Sequence, residues 1–176
     1  MSQWYMLTLV GKDQHGIVAK VTSALYKGGC NLGEASMLRL GGNFTIMLMV
    51  NYAGDNKQLY DLLKEVVLEL NLHLHIDAIE GHLHQHRDPE VRITVHGADR
   101  AGIVAQVTSV LSEAGLNILD LESDVGGSVE NPFYIMHIEG IATQGIALLS
   151  QALQQLLATQ HPDLKVQLEP IETLVM

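Results

Sequence analysis

The sequence has little cysteine, little positive charge and no long apolar run, and each shortage excludes a class of protein. A single cysteine, Cys30, excludes an intrachain disulfide framework and is consistent with a reducing compartment. We expect its side chain to pack as a small buried hydrophobe. The longest apolar stretches, such as residues 46–50, are too short to span a bilayer, and the N-terminus lacks the basic region of a signal peptide. We therefore expect a cytoplasmic protein that does not enter the membrane.

Positive charge is scarce and unevenly distributed. Ten Lys and Arg residues stand against 20 Asp and Glu residues, for a net charge of −10, and residues 88–176 hold only three of the basic ones. Affinity for nucleic acid comes largely from cationic contacts to phosphate, so we expect no direct binding of nucleic acid. The acidic half suits a basic surface on a protein partner, or serves solubility alone.

Catalytic fingerprints are also scarce. Neither GGNFTI (41–46) nor GGSVEN (126–131) has the spacing of a phosphate loop or of a dinucleotide site. His15 and Cys30 are the one pair that we weigh as base and nucleophile, and no third residue is evident to orient the imidazole. We therefore predict that the chain is not an enzyme and uses no cofactor.

What the sequence does contain is one segment present twice. DQHGIVAKVTSAL (13–25) recurs 86 positions later as DRAGIVAQVTSVL (99–111), with nine of the 13 residues identical. Further along, NFTIMLMV (43–50) resembles PFYIMHIE (132–139) at an offset of 89. A period this long indicates a domain duplication, because the periods of solenoid repeats are much shorter.

The polar segment 82–90, which is punctuated by proline, separates the two copies. We predict a first domain over 1–84, a linker over 85–90 and a second domain over 91–176. Each copy shows the same order of patterns: a strand, an amphipathic helix stopped by glycine, two strands joined by a turn, a second amphipathic helix and a final strand. This βαββαβ order, present twice, predicts an α+β protein of two ferredoxin-like modules, with helices on one face of each antiparallel sheet.

The motif Asp-x-x-Gly-Ile-Val, followed by a helix and then Gly-x-Asn, resembles the ACT domain family in both copies. The segment GGCNLGEASMLRLGGNFTIMLMV (28–50), in a tandem pair without an attached enzyme, is similar to the glycine cleavage system transcriptional repressor family. That resemblance implies a regulator that binds a small amino acid, with glycine favoured, and that acts through a LysR-type transcriptional activator. The sequence departs from the family at His15 and Ala101, where proline is usual, and at Gln14, where arginine is frequent. A loop without proline is expected to be looser.

The repeated motif lies where a strand ends and a helix begins. The helix N-terminus suits a carboxylate, an aspartate suits an ammonium group, and asparagine offers both a donor and an acceptor. In paired ACT modules, the resemblance implies a site formed by one module's loop and the other's second strand. The predicted ligand-binding residues are Asp13, His15, Gly16, Ile17, Asn31, Asp99, Arg100, Gly102, Ile103 and Asn117.

The same residues have a purely structural interpretation. Aspartate before a helix is a common N-cap, glycine serves tight turns, and asparagine tolerates the left-handed conformation. Under that interpretation the chain is an interaction domain without a ligand. The interaction domain without a ligand stays open as an alternative, and so does a homodimer through exposed sheet edges.

Two further sets of residues are weighed. His82, His84 and His86 alternate and offer a metal shell as a second alternative, although polar residues are expected in a linker. The residues Asp120, Glu122 and Asp124 alternate on a predicted strand and form an acidic stripe on the outer face of the sheet, which is either a solvated face or a docking surface for the activator. We expect three methionines to pack in the core or on the sheet: Met37, Met47 and Met49.

Overall fold

The computed structural model of the chain describes residues 2–80, 87–98, 100–128 and 132–171. The fold divides into two compact units, residues 1–84 and 85–176, each with one four-stranded antiparallel sheet and two helices. The predicted fold class, α+β with two ferredoxin-like βαββαβ modules, is confirmed. No helix in the described part of the chain is long and apolar enough to cross a membrane.

The first module has its strands in the order β2-β3-β1-β4. Its elements are β1 (Gln3–Lys12), α1 (Ile17–Lys27), β2 (Asn31–Leu40), β3 (Asn43–Tyr52), α2 (Asn56–Glu69) and β4 (His73–Ile79). The central strand β1 pairs with β3 and with β4, so β2 and β4 are the edge strands. Glycines 41 and 42, both with positive φ, make the tight turn between β2 and β3.

The second module repeats this plan with the order β6-β7-β5-β8. Its elements are β5 (Val91–Ala98), α3 (Ile103–Glu113), β6 (Leu116–Gly127), β7 (Pro132–Ala142), α4 (Ile146–Thr159) and β8 (Lys165–Pro170). The strand β6 lies at one edge and pairs with β7. Each module therefore places its first helix directly after its central strand.

Apolar residues at the spacing of each element build a separate core in each module. On β1, Leu7 and Leu9 point toward the helices and are fully buried, as period-two alternation predicts. On α1, the residues one turn apart face the same core: Ile17, Val21 and Leu25. The second module has the same arrangement, with Ile93 and Val95 on β5 and with Ile103, Val107 and Leu111 on α3.

The pairing of strands corrects the alignment of the two copies. In the first module Phe44 lies opposite Gly11, and in the second Tyr134 lies opposite Gly97. Equivalent residues on β3 and β7 are therefore 90 positions apart, whereas the sequence similarity predicts 89. A shift of one residue exchanges the two faces of a strand, which is why Phe44 is buried while Phe133 is exposed.

All three methionines lie on strands of the first sheet, and they differ in burial. Met37 and Met47 are about half exposed, and only Met49 is buried. Met37 lies on the edge strand β2, where no further strand of its sheet covers it. Met47 lies on the face of the sheet that points away from the helices, whereas Met37 lies opposite the buried Ile46 on the helix side, at the uncovered edge of that face.

The acidic stripe lies on the sheet face predicted for it. Asp120, Glu122 and Asp124 are all exposed on β6, opposite Glu139, His137 and Ile135 of β7. These partners alternate with the buried Met136 and Ile138, so the stripe points away from the helices.

Candidate functional site

The repeated motif forms the corner between the central strand and the first helix of each module. In the first module the backbone N–H of Asp13 donates a hydrogen bond to the carbonyl of Gly42 (3.0 Å), which holds the start of the corner against the β2–β3 turn. The helix α1 begins at Ile17 and its N-cap is Gly16, not Asp13. The structural interpretation of Asp13 as a helix cap is therefore wrong.

The N-cap glycines are in the left-handed conformation, with φ of 86° at Gly16 and 92° at Gly102. Neither helix receives a side-chain cap hydrogen bond. Because the first N–H groups of a helix have no partner within it, they are available to solvent or to an anion. A Cβ on Gly16 would meet nothing within 4 Å, so the glycine serves the backbone angle and leaves the corner open.

An open pocket of about 580 Å³ lies at the first corner, between the start of α1 and the edge of the sheet. It contains four of the predicted ligand-binding residues: Asp13, His15, Gly16 and Ile17. The wall toward the sheet comes from Met37, Arg39 and Phe44 on β2 and β3. The corner therefore adjoins both an apolar surface and charged groups.

Arg39 and Asp13 form an ion pair at this pocket, from Nη2 to Oδ2. The Arg39 side chain is 69% exposed and the Asp13 side chain is 25% exposed. An exposed ion pair contributes little to stability, about 0–1 kcal/mol. A ligand can therefore replace the Arg39–Asp13 contact with its own contacts to both charges at small cost.

The second corner is built differently. A pocket of about 290 Å³ adjoins Gly102, Ile103 and Tyr134, together with Arg100. The Arg100 guanidinium also forms an ion pair with Asp163, with 2.9 Å from Nη2 to Oδ2. The predicted site residue Asp99 lies outside the described residues.

In both modules, the side chain that follows the motif aspartate bonds to the segment after the second helix. Gln14 donates from Nε2 to the carbonyl of Leu70 (3.0 Å) at the end of α2. Arg100 makes the equivalent link to Asp163, which follows α4. This position therefore holds the loop in both copies, by a neutral hydrogen bond in the first and an ion pair in the second.

The two asparagines lie away from the corner of their own module. Asn31 is level with Asn51 and hence with Trp4, whereas Asp13 follows Lys12 at the other end of β1. Eight residues of strand separate these ends, about 27 Å at 3.4 Å per residue. Asn117 begins β6 in the same way, opposite Ile141. Within one module, the structure does not bring Asn31 or Asn117 to the predicted ligand.

His15 and Cys30 lie at opposite ends of α1, so the pairing weighed for catalysis is not formed. The 11 residues of α1 span about 16 Å. Cys30 is buried at the start of β2, as expected, and burial raises the pKa of its thiol. His15 is exposed at the pocket.

The histidines divide between described and undescribed parts of the chain. His82, His84 and His86 lie outside the described residues. His73 and His75 share one face of β4, and Nε2 of His75 lies 2.9 Å from Oδ2 of Asp77. Among the residues that the structure describes, no group of three or more His, Cys, Asp or Glu side chains is placed to hold a metal ion.

Sequence reasoning missed Arg39, the residue that supplies positive charge to the first pocket. The motif draws attention to residues 13–18, and Arg39 lies more than 20 positions later on an edge strand. The signal was present in the tight Gly41-Gly42 turn, which returns the chain so that Arg39 lies opposite Phe44 and thus beside the corner. To place Arg39 at the pocket also requires the strand register, which the pattern of apolar and polar residues on this exposed strand does not define.

Comparison with known proteins agrees with the two-module architecture. The family models described as ACT domain match residues 4–77 and 91–158, which together cover most of the chain. The chain belongs to the ACT domain family. It is thus a tandem ACT protein, and the resemblance seen in the repeated motif is confirmed.

Several relatives correspond to one ACT module each. The UPF0237 protein of Listeria monocytogenes is 28% identical over 85 residues, which cover 46% of this chain and 96% of that protein. The UPF0237 protein YjhC of Lactococcus lactis is 31% identical over 83 residues, 46% of this chain and 95% of that protein. These relatives are therefore similar to about half of the tandem.

Two solved structures share the fold of the whole tandem ACT chain. A protein of unknown function from Galdieria sulphuraria superimposes with a TM-score of 0.77 at 23% identity, over 98% of this chain and 100% of that one. A protein provisionally described as a glycine cleavage system transcriptional repressor has a TM-score of 0.73 at 19% identity, over 98% and 99% of the two chains. At these identities the likeness shows a common fold.

Proposed function

We propose that this tandem ACT protein is a non-enzymatic regulator that responds to a small amino acid, with glycine favoured. The observation that carries the proposal is the open pocket at the first corner, where Asp13 and Arg39 present opposite charges beside an uncapped helix N-terminus. A free amino acid carries an ammonium group and a carboxylate on one carbon. It therefore matches this pair of charges.

The regulated system that we propose is the glycine cleavage system, through contact with a LysR-type transcriptional activator in the cytoplasm. Support comes from the sequence resemblance and from the fold shared with the protein provisionally described as a repressor of that system. The net charge of −10 favours action through a protein rather than through DNA.

Contact with a protein partner is also supported by apolar side chains at the surface of the first sheet. Leu38 and Leu40 on β2 and Met47 on β3 are each exposed by 45% or more. The acidic residues of β6 offer a second surface that would suit a basic patch. Both β2 and β6 are edge strands, so a homodimer through a strand edge forms part of the proposal.

Amino-acid response is tested by urea unfolding of chelator-treated protein at glycine concentrations up to about 10 mM. A ligand that binds only the folded chain raises the free energy of unfolding, by about 2.7 kcal/mol at 100 times its Kd. Trimethylglycine at equal concentration is the control, because it acts as an osmolyte but has no N–H to donate. An equal effect of both compounds, or of neither, contradicts the proposal.

A further inference from the structure

Arg39 in the first module corresponds to Val125 in the second. Arg39 lies opposite Phe44, which lies opposite Gly11. Val125 occupies the same place in the second sheet, opposite Tyr134, which in turn lies opposite Gly97. Since Gly11 and Gly97 are equivalent in the repeat, the guanidinium of the first corner is replaced by an isopropyl group in the second.

The two corners therefore offer different chemistry to a ligand. In the first, Arg39 on β2 forms a direct ion pair with the motif aspartate, Asp13, and both line an open pocket of about 580 Å³. In the second, the pocket is about half that volume, at 290 Å³, and its arginine belongs to the loop. That arginine, Arg100, pairs with Asp163, which follows α4 and is not the motif aspartate, and it links the loop to that segment as Gln14 links the first loop to Leu70.

We propose that the first-module pocket, and not its second-module counterpart, is the amino-acid site of this chain. Arg39 receives the α-carboxylate and Asp13 receives the α-ammonium group. This inference rests on the proposed function and adds which corner binds and which residues recognise the zwitterion.

The Asp13–Arg39 pair makes the pocket selective for a zwitterion. Each charge neutralises the other in the ion pair, and a zwitterion would take over both contacts at once. A ligand with only a carboxylate leaves Asp13 without a partner, and a ligand with only an ammonium group leaves Arg39 without one. Charge-assisted hydrogen bonds are the stronger kind, so loss of either is expected to weaken binding by about tenfold or more.

The second module supplies the matched substitutions for the test. Arg39→Val gives the first corner the residue that the second has, and Arg100→Gln gives the second corner the residue that the first has. Both side chains are more than half exposed, so neither change disturbs a core. Urea midpoints close to that of the unmodified chain establish that each variant is folded.

Calorimetric titration of the full chain with glycine then distinguishes the outcomes. We expect one site per chain, binding weakened about tenfold or more in Arg39→Val, and binding unchanged in Arg100→Gln. Glycinamide and glycolate, which lack the carboxylate and the ammonium group respectively, are expected to bind more weakly than glycine.

Two results would overturn the inference. Unchanged binding in Arg39→Val, or loss of binding only in Arg100→Gln, refutes the assignment to the first corner while leaving the amino-acid response intact. No heat with glycine, alanine or serine on folded, unmodified protein refutes both the assignment and the proposed function.

Discussion

The indole ring of Trp4 lies against the backbone of Gly33, so close that a Cβ on Gly33 would come within 2.9 Å of the ring. Gly33 falls in the irregular part of β2, between Leu32 and Ala35, where the register with β3 shifts. Because β2 is an edge strand, this contact holds its irregular part to the rest of the sheet. The same strand continues to Arg39 at its other end, where the first pocket lies.

Replacement of Gly33 by alanine is expected to destabilise the first module. The added methyl group would meet the rigid indole of Trp4 and the Cβ of Met49 at 3.2 Å, and overpacking of this kind costs about 1–3 kcal/mol. Ser36→Ala, at an exposed position of the same strand, is the control and is expected to change stability by less than about 0.5 kcal/mol. Urea unfolding measures both, and equal midpoints for the two variants would show that the close contact does not matter.

Alanine at Gly16 is expected to lower the free energy of unfolding by about 1–2 kcal/mol. Open space surrounds this position, so the cost arises from the left-handed backbone and not from a clash. Asparagine tolerates that conformation better, and Gly16→Asn is expected to cost less than Gly16→Ala. A chemical denaturation series ranks the three chains, and an alanine variant as stable as the glycine parent would contradict the assigned backbone angle.

The Cys30 thiol is expected to react slowly with a disulfide reagent in the folded chain. Burial raises its pKa, so the folded protein holds less thiolate than the urea-unfolded protein at the same pH. The same shift predicts a pH effect on stability: the contribution is present below the thiol's ordinary pKa and is lost as the pH rises through the raised pKa. Reaction rates with and without urea test the first claim, and the Cys30→Ser variant, which lacks this titration, tests the second. Equal rates in the two states would contradict the burial.

Glycine, alanine and serine are expected to bind within about tenfold of one another. The first pocket is open, so we expect its apolar wall of Met37 and Phe44 to leave room beside the α-carbon of a ligand held by Arg39 and Asp13. An added methyl or hydroxymethyl group therefore meets solvent or the apolar wall rather than a steric barrier. Competition titrations measure the ratios, and discrimination of more than a hundredfold for glycine would require a contact that this pocket does not supply.

The fold was predictable from the sequence because its signals are local. Period-two alternation on β5 and the helical spacing of Ile17, Val21 and Leu25 each define an element without reference to the rest of the chain. The duplication then shows the same order of strands and helices twice. Cys30 was predictable for the same reason, since a lone cysteine between glycines and a strand is usually a small buried hydrophobe.

The site was less predictable because it depends on strand register. The motif identifies Asp13 and Gly16, but which of them caps α1 depends on backbone angles that spacing does not specify. The sequence alignment of β3 with β7 was displaced by one residue, and that displacement exchanges buried and exposed faces. The offset of 86 relates Arg39 to Val125, and the strand register shows that both lie beside the corner, where this difference distinguishes the two modules.

The most direct measurement is a glycine titration followed by ¹H–¹⁵N spectra of the uniformly labelled chain. The backbone N–H groups of Gly16 and Ile17 report on the first corner, and those of Gly102 and Ile103 report on the second. We predict saturable shifts at the first pair with the second pair unmoved, because the first corner combines an open pocket with an Arg39–Asp13 ion pair whose two contacts a zwitterion can replace. Saturable shifts confined to the second pair, or no shifts at either, would contradict the account.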